Sequence, residues 1–293
     1  MALAALENKK RTPSQTISDP GYFDFGNHTF RDDKKGGHGV VDMQKSIVES
    51  CDTYYYMLAR DMGVNMMHDF MKPLGFGQIT GIDLKGESKG VLPSTDWKKN
   101  TFKKPEQQKW YEGETISLGI GQGYNSFTIL QLAHAMANVS NNGVVMKPHL
   151  VKAIEDPFTR KRTLTTPKES YRIELNPENI EVIKKAMVEV NNSGTSAAVF
   201  KGTGYVVGGK TGTAQVFSLN SKEYKHSSTA EFLRDHALYI AFAPAEKPTI
   251  VIAMVVENAG FGAQYAAPIA RKALDFYIEG KWPKEVPEWT RAP

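Results

Sequence analysis

Apolar positions recur at helical spacing in the first two thirds of the chain and at strand spacing in the last third. From Pro177 to Val190, residues Ile180, Ile183, Met187 and Val190 fall on one side, and a proline opens the first turn. That pattern predicts an amphipathic helix. Thr128 to Asn138 has the same period and is stopped by Asn141-Asn142-Gly143. Met43 to Met62 reads as helix in pieces, with Ser50-Cys51-Asp52 interrupting or opening one of them. His68 to Leu74 gives another helical turn, ended at Pro73-Leu74-Gly75-Phe76-Gly77.

The later segments read as sheet. Val144-Val145-Met146 predicts a short strand before Lys147-Pro148, and Tyr205 to Phe217 predicts a longer one. His236 to Ala243 and Thr249 to Glu257 predict two more strands, joined by a short proline-bounded turn. Tyr265 to Glu279 predicts a helix whose apolar face (Ile269, Leu274, Ile278) covers that sheet. Residues 8–40 are rich in Gly, Asp, Asn and Lys and read as loop, and residues 78–113 read as a long polar connection. Helices, then antiparallel strands, then a helix define an α+β class. Residues 8–200 form the mostly helical and loop part, 201–280 the sheet and C-terminal helix, and 281–293 a tail.

Composition narrows the function. The 293 residues could hold one large domain or two small ones. No run reaches the roughly 18 apolar residues of a membrane span; the apolar stretch Ala237 to Val256 is split by Pro244-Ala245-Glu246-Lys247-Pro248. Met1 to Glu7 lacks the charged leader of a signal peptide. The net charge of +4, with basic runs at Lys9-Lys10-Arg11, Lys98-Lys99 and Lys103-Lys104, suits an anionic substrate, a membrane surface or simply a solvated face. No aromatic–basic interleaving points to nucleic acid. A single cysteine excludes an internal disulfide.

Two motifs carry chemistry. Lys210-Thr211-Gly212-Thr213 follows Val206-Val207-Gly208-Gly209 and precedes Ala214-Gln215-Val216-Phe217. A lysine and two hydroxyls on a glycine-rich strand rim are suited to an extended peptide ending in a carboxylate. Alone, the motif also reads as an exposed lysine before a turn. Upstream stands Ser50-Cys51-Asp52, whose Ser50 and Asp52, taken singly, read as helix caps. Gly119-Ile120-Gly121-Gln122-Gly123 leads into Thr128-Ile129-Leu130-Gln131-Leu132-Ala133. Taken together, these elements resemble the transpeptidase domain of class B penicillin-binding proteins, nearest to their elongation branch, from Met1 to about Ile278.

The resemblance implies the penicillin-binding protein/serine β-lactamase-like transpeptidase fold: an antiparallel sheet with flanking helices plus a mostly helical subdomain. It also exposes a departure. No serine of this chain has lysine three positions on, so the Ser-x-x-Lys nucleophile motif is absent. Met1-Ala2-Leu3-Ala4-Ala5-Leu6-Glu7 resembles the segment that follows that motif. The expectation is therefore a fragment beginning just after the nucleophile, without the preceding strands, inactive by itself and marginally stable or poorly soluble.

The resemblance also implies roles. Ser50, Asp52 and Lys210 would be catalytic, and Lys210, Thr211, Gly212 and Thr213 would bind the substrate, with Lys210 and Ser50 facing one cleft. The substrate would be the peptidoglycan stem peptide ending in D-Ala-D-Ala, and β-lactams would bind the full-length parent. The partners implied are a glycosyltransferase and elongation-complex proteins at the periplasmic face of the inner membrane. Acyl transfer would need no cofactor. Asp19, Asp32, His38 and Cys51 make a four-coordinate zinc set, with Asp24 and His28 as competing ligands. Family members with similar residues bind zinc beside the active site, where it would be structural. Cys51 also reads as a small buried hydrophobe. A β-lactamase or D,D-carboxypeptidase of the same superfamily, or a β-lactam-binding sensor, are the alternatives.

Overall fold

The computed structural model describes residues 1–216 and 229–282. The Phe217 end of the predicted strand and residues 283–293 of the predicted tail lie outside them. The chain divides into two compact units, Met1–Ala186 and Met187–Pro293. Among the described residues, no helix is long and apolar enough to cross a membrane.

The first unit opens with α1 (Ala2–Glu7), whose Leu3, Ala4 and Ala5 are buried. Two small antiparallel sheets follow, built from β1 (Ile17–Asp19), β2 (Tyr22–Phe25), β3 (His28–Arg31) and β4 (Gly39–Val41). β1 pairs with β4 and β2 with β3, in place of the loop expected over residues 8–40. Three- and four-residue strands are too short to show a period, and glycines at the turns permit them: a Cβ on Gly37, at φ 78°, would collide with the backbone of Asp19 and Gly21.

Next come α2 (Met43–Val48) and α3 (Asp52–Met71). Asp42 caps α2 by accepting the Lys45 N–H at 2.8 Å. Ser50, at φ 61°, breaks the chain between the two helices, so the break anticipated at Ser50-Cys51-Asp52 is present. Gly63, at φ 72°, kinks α3, and a short 3-10 turn, Lys72–Leu74, ends it.

The polar connection contains helices that its composition hid: α4 (Thr95–Thr101), α5 (Pro105–Gln108) and the start of α6 (Glu112–Leu118). Ser94 caps α4. α7 (Ile129–Ser140) begins at Thr128, whose hydroxyl accepts the Gln131 N–H while Gln131 Oε1 accepts the Thr128 N–H. β5 (Val144–Met146) pairs with β8 (Glu169–Arg172). Between them, β6 (Ala153–Glu155) and β7 (Arg162–Leu164) form an exposed hairpin with Phe158 at its tip, 93% exposed.

α8 (Pro177–Asn192) buries Ile180, Ile183, Met187 and Val190, as its period predicts. The second unit continues with α9 (Ala197–Phe200), then β9 (Gly208–Ala214), β10 (His236–Ala243), β11 (Ile250–Val256) and α10 (Gly262–Glu279). The sheet is antiparallel in the order β11-β10-β9. α10 packs on it through Ala266, Ala267, Ala270 and Leu274. Ile269, expected on that face, is 46% exposed. Small residues let the helix lie close to the strands, with Leu274 the large side chain fully buried between them.

Candidate active site and metal cluster

Lys210 to Thr213 occupy the middle of β9, at the edge of the sheet among the described residues. Lys210 pairs in register with Ile240, Thr211 with Tyr239, Gly212 with Leu238 and Thr213 with Ala237. Lys210 Nζ donates to the Thr211 carbonyl at 3.1 Å. The glycines before the lysine have packing reasons. A Cβ on Gly208 would strike the Phe242 ring, and one on Gly209 would strike the Tyr239 hydroxyl. Gly262, at the start of α10, is needed because a Cβ there would collide with the Gly212 and Leu238 carbonyls.

A buried polar hub lies behind this strand. Asn191 donates to the Val207 carbonyl at 2.9 Å. Its side-chain oxygen accepts from the Tyr239 hydroxyl at 2.7 Å and the Ser196 hydroxyl at 2.6 Å. The next residue back, Thr195, places its hydroxyl 2.9 Å from that of Thr211. Asn191, Thr195, Ser196 and Tyr239 went unnoticed in the sequence, where nothing in their spacing links four residues spread over 48 positions.

In the first unit, Ser50 sits half-buried in the left-handed region, which is rare for a residue with a side chain. Asp52 is the first residue of α3. α3 takes α6 at close range, since a Cβ on Gly119 would strike the Tyr55 carbonyl. Gly119 begins the Gly-x-Gly-x-Gly segment, whose Gly121 and Gly123 both have positive φ. Asn125 Nδ2 ties the segment back by donating to the Leu118 and Gln122 carbonyls, each at 3.3 Å.

Cys51 joins a second constellation in the same unit. Ligand atoms of Asp19, Asp32, His38 and Cys51 all lie within 4.8 Å of one another, and all four residues are buried. Asp19 Oδ2 is 2.8 Å from His38 Nδ1 and accepts from Cys51 Sγ at 3.4 Å. Asp32 Oδ1 is 3.3 Å from the same His38 nitrogen, and Asp32 Oδ2 accepts the Thr53 N–H at 2.9 Å, holding the start of α3. Burial works against the Asp19 carboxylate, yet hydrogen bonds from the Gly21 N–H and from His38 hold its pKa at about 2. Burial pushes the Cys51 thiol up, and the Asp32 and Asp19 charges add to the shift. Asp24 and His28, the competing ligands, lie instead on the exposed β2–β3 hairpin, where Asp24 accepts the Thr29 hydroxyl at 2.5 Å.

The donor set fits a zinc ion. Two carboxylates, an imidazole and a thiol converge in a space closed to solvent. Among the described residues, both carboxylates have His38 as their ion-pair partner. Two buried negative groups against one imidazole leave charge that a divalent cation would neutralise.

Residues 1–275 match the penicillin binding protein transpeptidase domain, and the chain belongs to that family. Within it, the chain is similar to peptidoglycan D,D-transpeptidase MrdA of Haemophilus influenzae, at 42% identity over 97% of the chain and 44% of that protein. It is 37% identical to MrdA of Escherichia coli K12, over 96% of the chain and 44% of that protein. The chain thus spans less than half the length of these curated relatives. The fold matches Pseudomonas aeruginosa PBP2, solved in complex with WCK 5153, with a TM-score of 0.80 and 36% identity, over 98% of the chain and 61% of that structure. It also matches the Helicobacter pylori PBP2–MreC complex, with a TM-score of 0.77 and 29% identity, over 95% of the chain and 48% of that structure.

Proposed function

We propose that the chain carries the substrate-binding and proton-transfer elements of a peptidoglycan D,D-transpeptidase of the PBP2 type, acting in cell elongation and shape maintenance. The main support is the family match over residues 1–275, with Lys210-Thr211-Gly212-Thr213 standing on the strand at the sheet's edge among the described residues. Lys210 and Thr211 bind the terminal carboxylate of a stem peptide ending in D-Ala-D-Ala. Gly212 leaves room for the peptide strand, and Thr213 adds a carboxylate contact and lends its N–H to the oxyanion hole.

The acyl transfer needs a serine and a lysine from a Ser-x-x-Lys motif. The lysine takes the serine proton, and the serine oxygen bonds to the penultimate D-Ala carbonyl carbon. The bond to the terminal D-Ala breaks, and Ser50 passes a proton to the departing amine. Asp52 accepts hydrogen bonds from the base lysine and the substrate amide. The amine of a second stem peptide then takes the acyl group, and the serine regains its proton. This sequence contains no Ser-x-x-Lys, so the chain by itself forms no acyl-enzyme.

Asp19, Asp32, His38 and Cys51 hold a structural zinc ion that fixes the start of α3, on which Asp52 stands. The acyl transfer itself uses no cofactor. The whole protein works at the periplasmic face of the inner membrane with a glycosyltransferase and elongation proteins. Two structural relatives support that setting: the H. pylori PBP2–MreC complex, and a peptidoglycan synthase complex that coordinates polymerization and crosslinking.

The test has two arms. A fluorescent penicillin should leave no label on the denatured chain, and a retained label overturns the inactivity. An acyl-D-Ala-D-Ala peptide should perturb NMR signals of Lys210 to Thr213, and Lys210→Ala should weaken it. Failure of the native chain to bind the peptide overturns the transpeptidase reading.

A further inference from the structure

We infer that Thr195 is a positioning residue for the Thr211 hydroxyl, setting the direction of its proton toward the bound carboxylate. The inference rests on the substrate role proposed above for Lys210 to Thr213. The two threonine hydroxyl oxygens lie 2.9 Å apart, and either can be the donor in the free protein. A bound carboxylate removes that freedom. It is acceptor-only when ionised, so a Thr211 hydroxyl that serves it must give its single proton to the ligand. Thr211 can then only accept from Thr195, and Thr195 must donate. Each bond in such a chain polarises the next, which strengthens the one to the charged ligand.

The surroundings hold Thr195 where this requires. Its neighbour Ser196 is buried and donates to Asn191 Oδ1 at 2.6 Å and to the Val190 carbonyl at 3.3 Å. The turn before it is tied to α8, with the Ser193 and Gly194 N–H groups both donating to the Glu189 carbonyl at 2.9 and 3.0 Å. Asn191 bonds to Val207 just ahead of β9, and to Tyr239, the residue directly opposite Thr211 in the sheet. The strand that carries Thr211 and the turn that carries Thr195 thus share one buried hub. Thr195 itself is exposed, so its hydroxyl can be removed without opening a cavity in the core.

The experiment titrates the chain with an acyl-D-Ala-D-Ala peptide and with its C-terminal amide, followed by threonine-methyl NMR, in the native form, Thr195→Val and Thr195→Ser. The native chain should prefer the acid. Thr195→Val keeps the shape and removes the donor; its acid-over-amide preference should fall about three- to tenfold, the range for one hydrogen bond, with amide affinity and melting temperature unchanged. Thr195→Ser should retain the preference. An unchanged preference in Thr195→Val overturns the inference, as does an equal loss of acid and amide binding, which would make Thr195 a structural tie. If Thr195→Val does not fold, Thr195→Ser against Thr195→Ala decides on the same ratio. Binding of neither peptide by the native chain would instead remove the transpeptidase reading, and this inference with it.

Discussion

One oxygen of Asp19 meets both the ring and the backbone of His38: Oδ2 lies 2.8 Å from Nδ1 and accepts the backbone N–H at 2.7 Å. Asp19 ends β1 and His38 immediately precedes β4, and the two strands pair antiparallel with Asp19 opposite Gly39. A ring nitrogen used this way by a carboxylate can instead ligate a metal when one enters. Purified protein should therefore contain about one equivalent of zinc, and a strong chelator should lower its melting temperature by roughly 5 °C or more. Cys51→Ala should lose the metal. Protein with under about a tenth of an equivalent, and a melt indifferent to chelator, would exclude a tight site.

Lys98 is buried against Glu114, with the rings of Trp110, Tyr111 and Tyr124 each about 5.5 Å from its ammonium. Lys98→Met leaves the Glu114 carboxylate without its cation and should destabilise the chain by about 2–3 kcal/mol, less than a fully buried pair because Glu114 is partly open to water. Urea unfolding measures this, and a change under about 0.5 kcal/mol would contradict it.

The same pair predicts a pH dependence. Burial pushes the Glu114 carboxyl up, but hydrogen bonds from Lys98, the Tyr111 N–H and the Tyr124 hydroxyl outweigh it and hold it below the ordinary 4.5. A lowered folded-state pKa contributes stability above the ordinary value that is lost as pH falls through the folded one. Melting temperatures recorded downward from pH 6 should fall below about pH 4.5, and less steeply in Lys98→Met. Parallel acid limbs in the two proteins would show that Glu114 contributes nothing there.

Gly209→Ala tests the close approach behind the lysine. Its Cβ would run into the Tyr239 hydroxyl that bonds Asn191. A fixed ring, a fixed strand and a displaced hydrogen bond should cost about 2 kcal/mol or more. Equilibrium unfolding with native stability would mean the strand shifts freely at that point.

Phe158 predicts the reverse. It stands 93% exposed at the tip of the β6–β7 hairpin, with Ile154 and Leu164 also open to water. Phe158→Ser should leave stability within about 0.5 kcal/mol while raising the concentration at which the chain self-associates, read by light scattering. Unchanged self-association would clear the hairpin of that role.

Much of this protein was legible in its sequence, and for a local reason. The period of α7 and its stop at Asn141-Asn142-Gly143, the stripe of α8 and the alternation of the last two strands each depend on residues within a turn or two of one another. Periodicity and caps report such contacts directly. The strand around Lys210 and the break at Ser50 were legible for the same reason, and so was the family that carries those motifs. The helices α4 and α5 were hidden by polar composition, and β1 to β4 by shortness. What only the tertiary structure decided depends on contacts between distant segments. It gathered Asp19, Asp32, His38 and Cys51 while leaving Asp24 and His28 on an exposed hairpin, a choice made by glycine turns and strand register. It set Thr195 beside Thr211 and Ile269 outside the helix seam, because closure of the chain determines which side chains share a volume, and spacing along it does not.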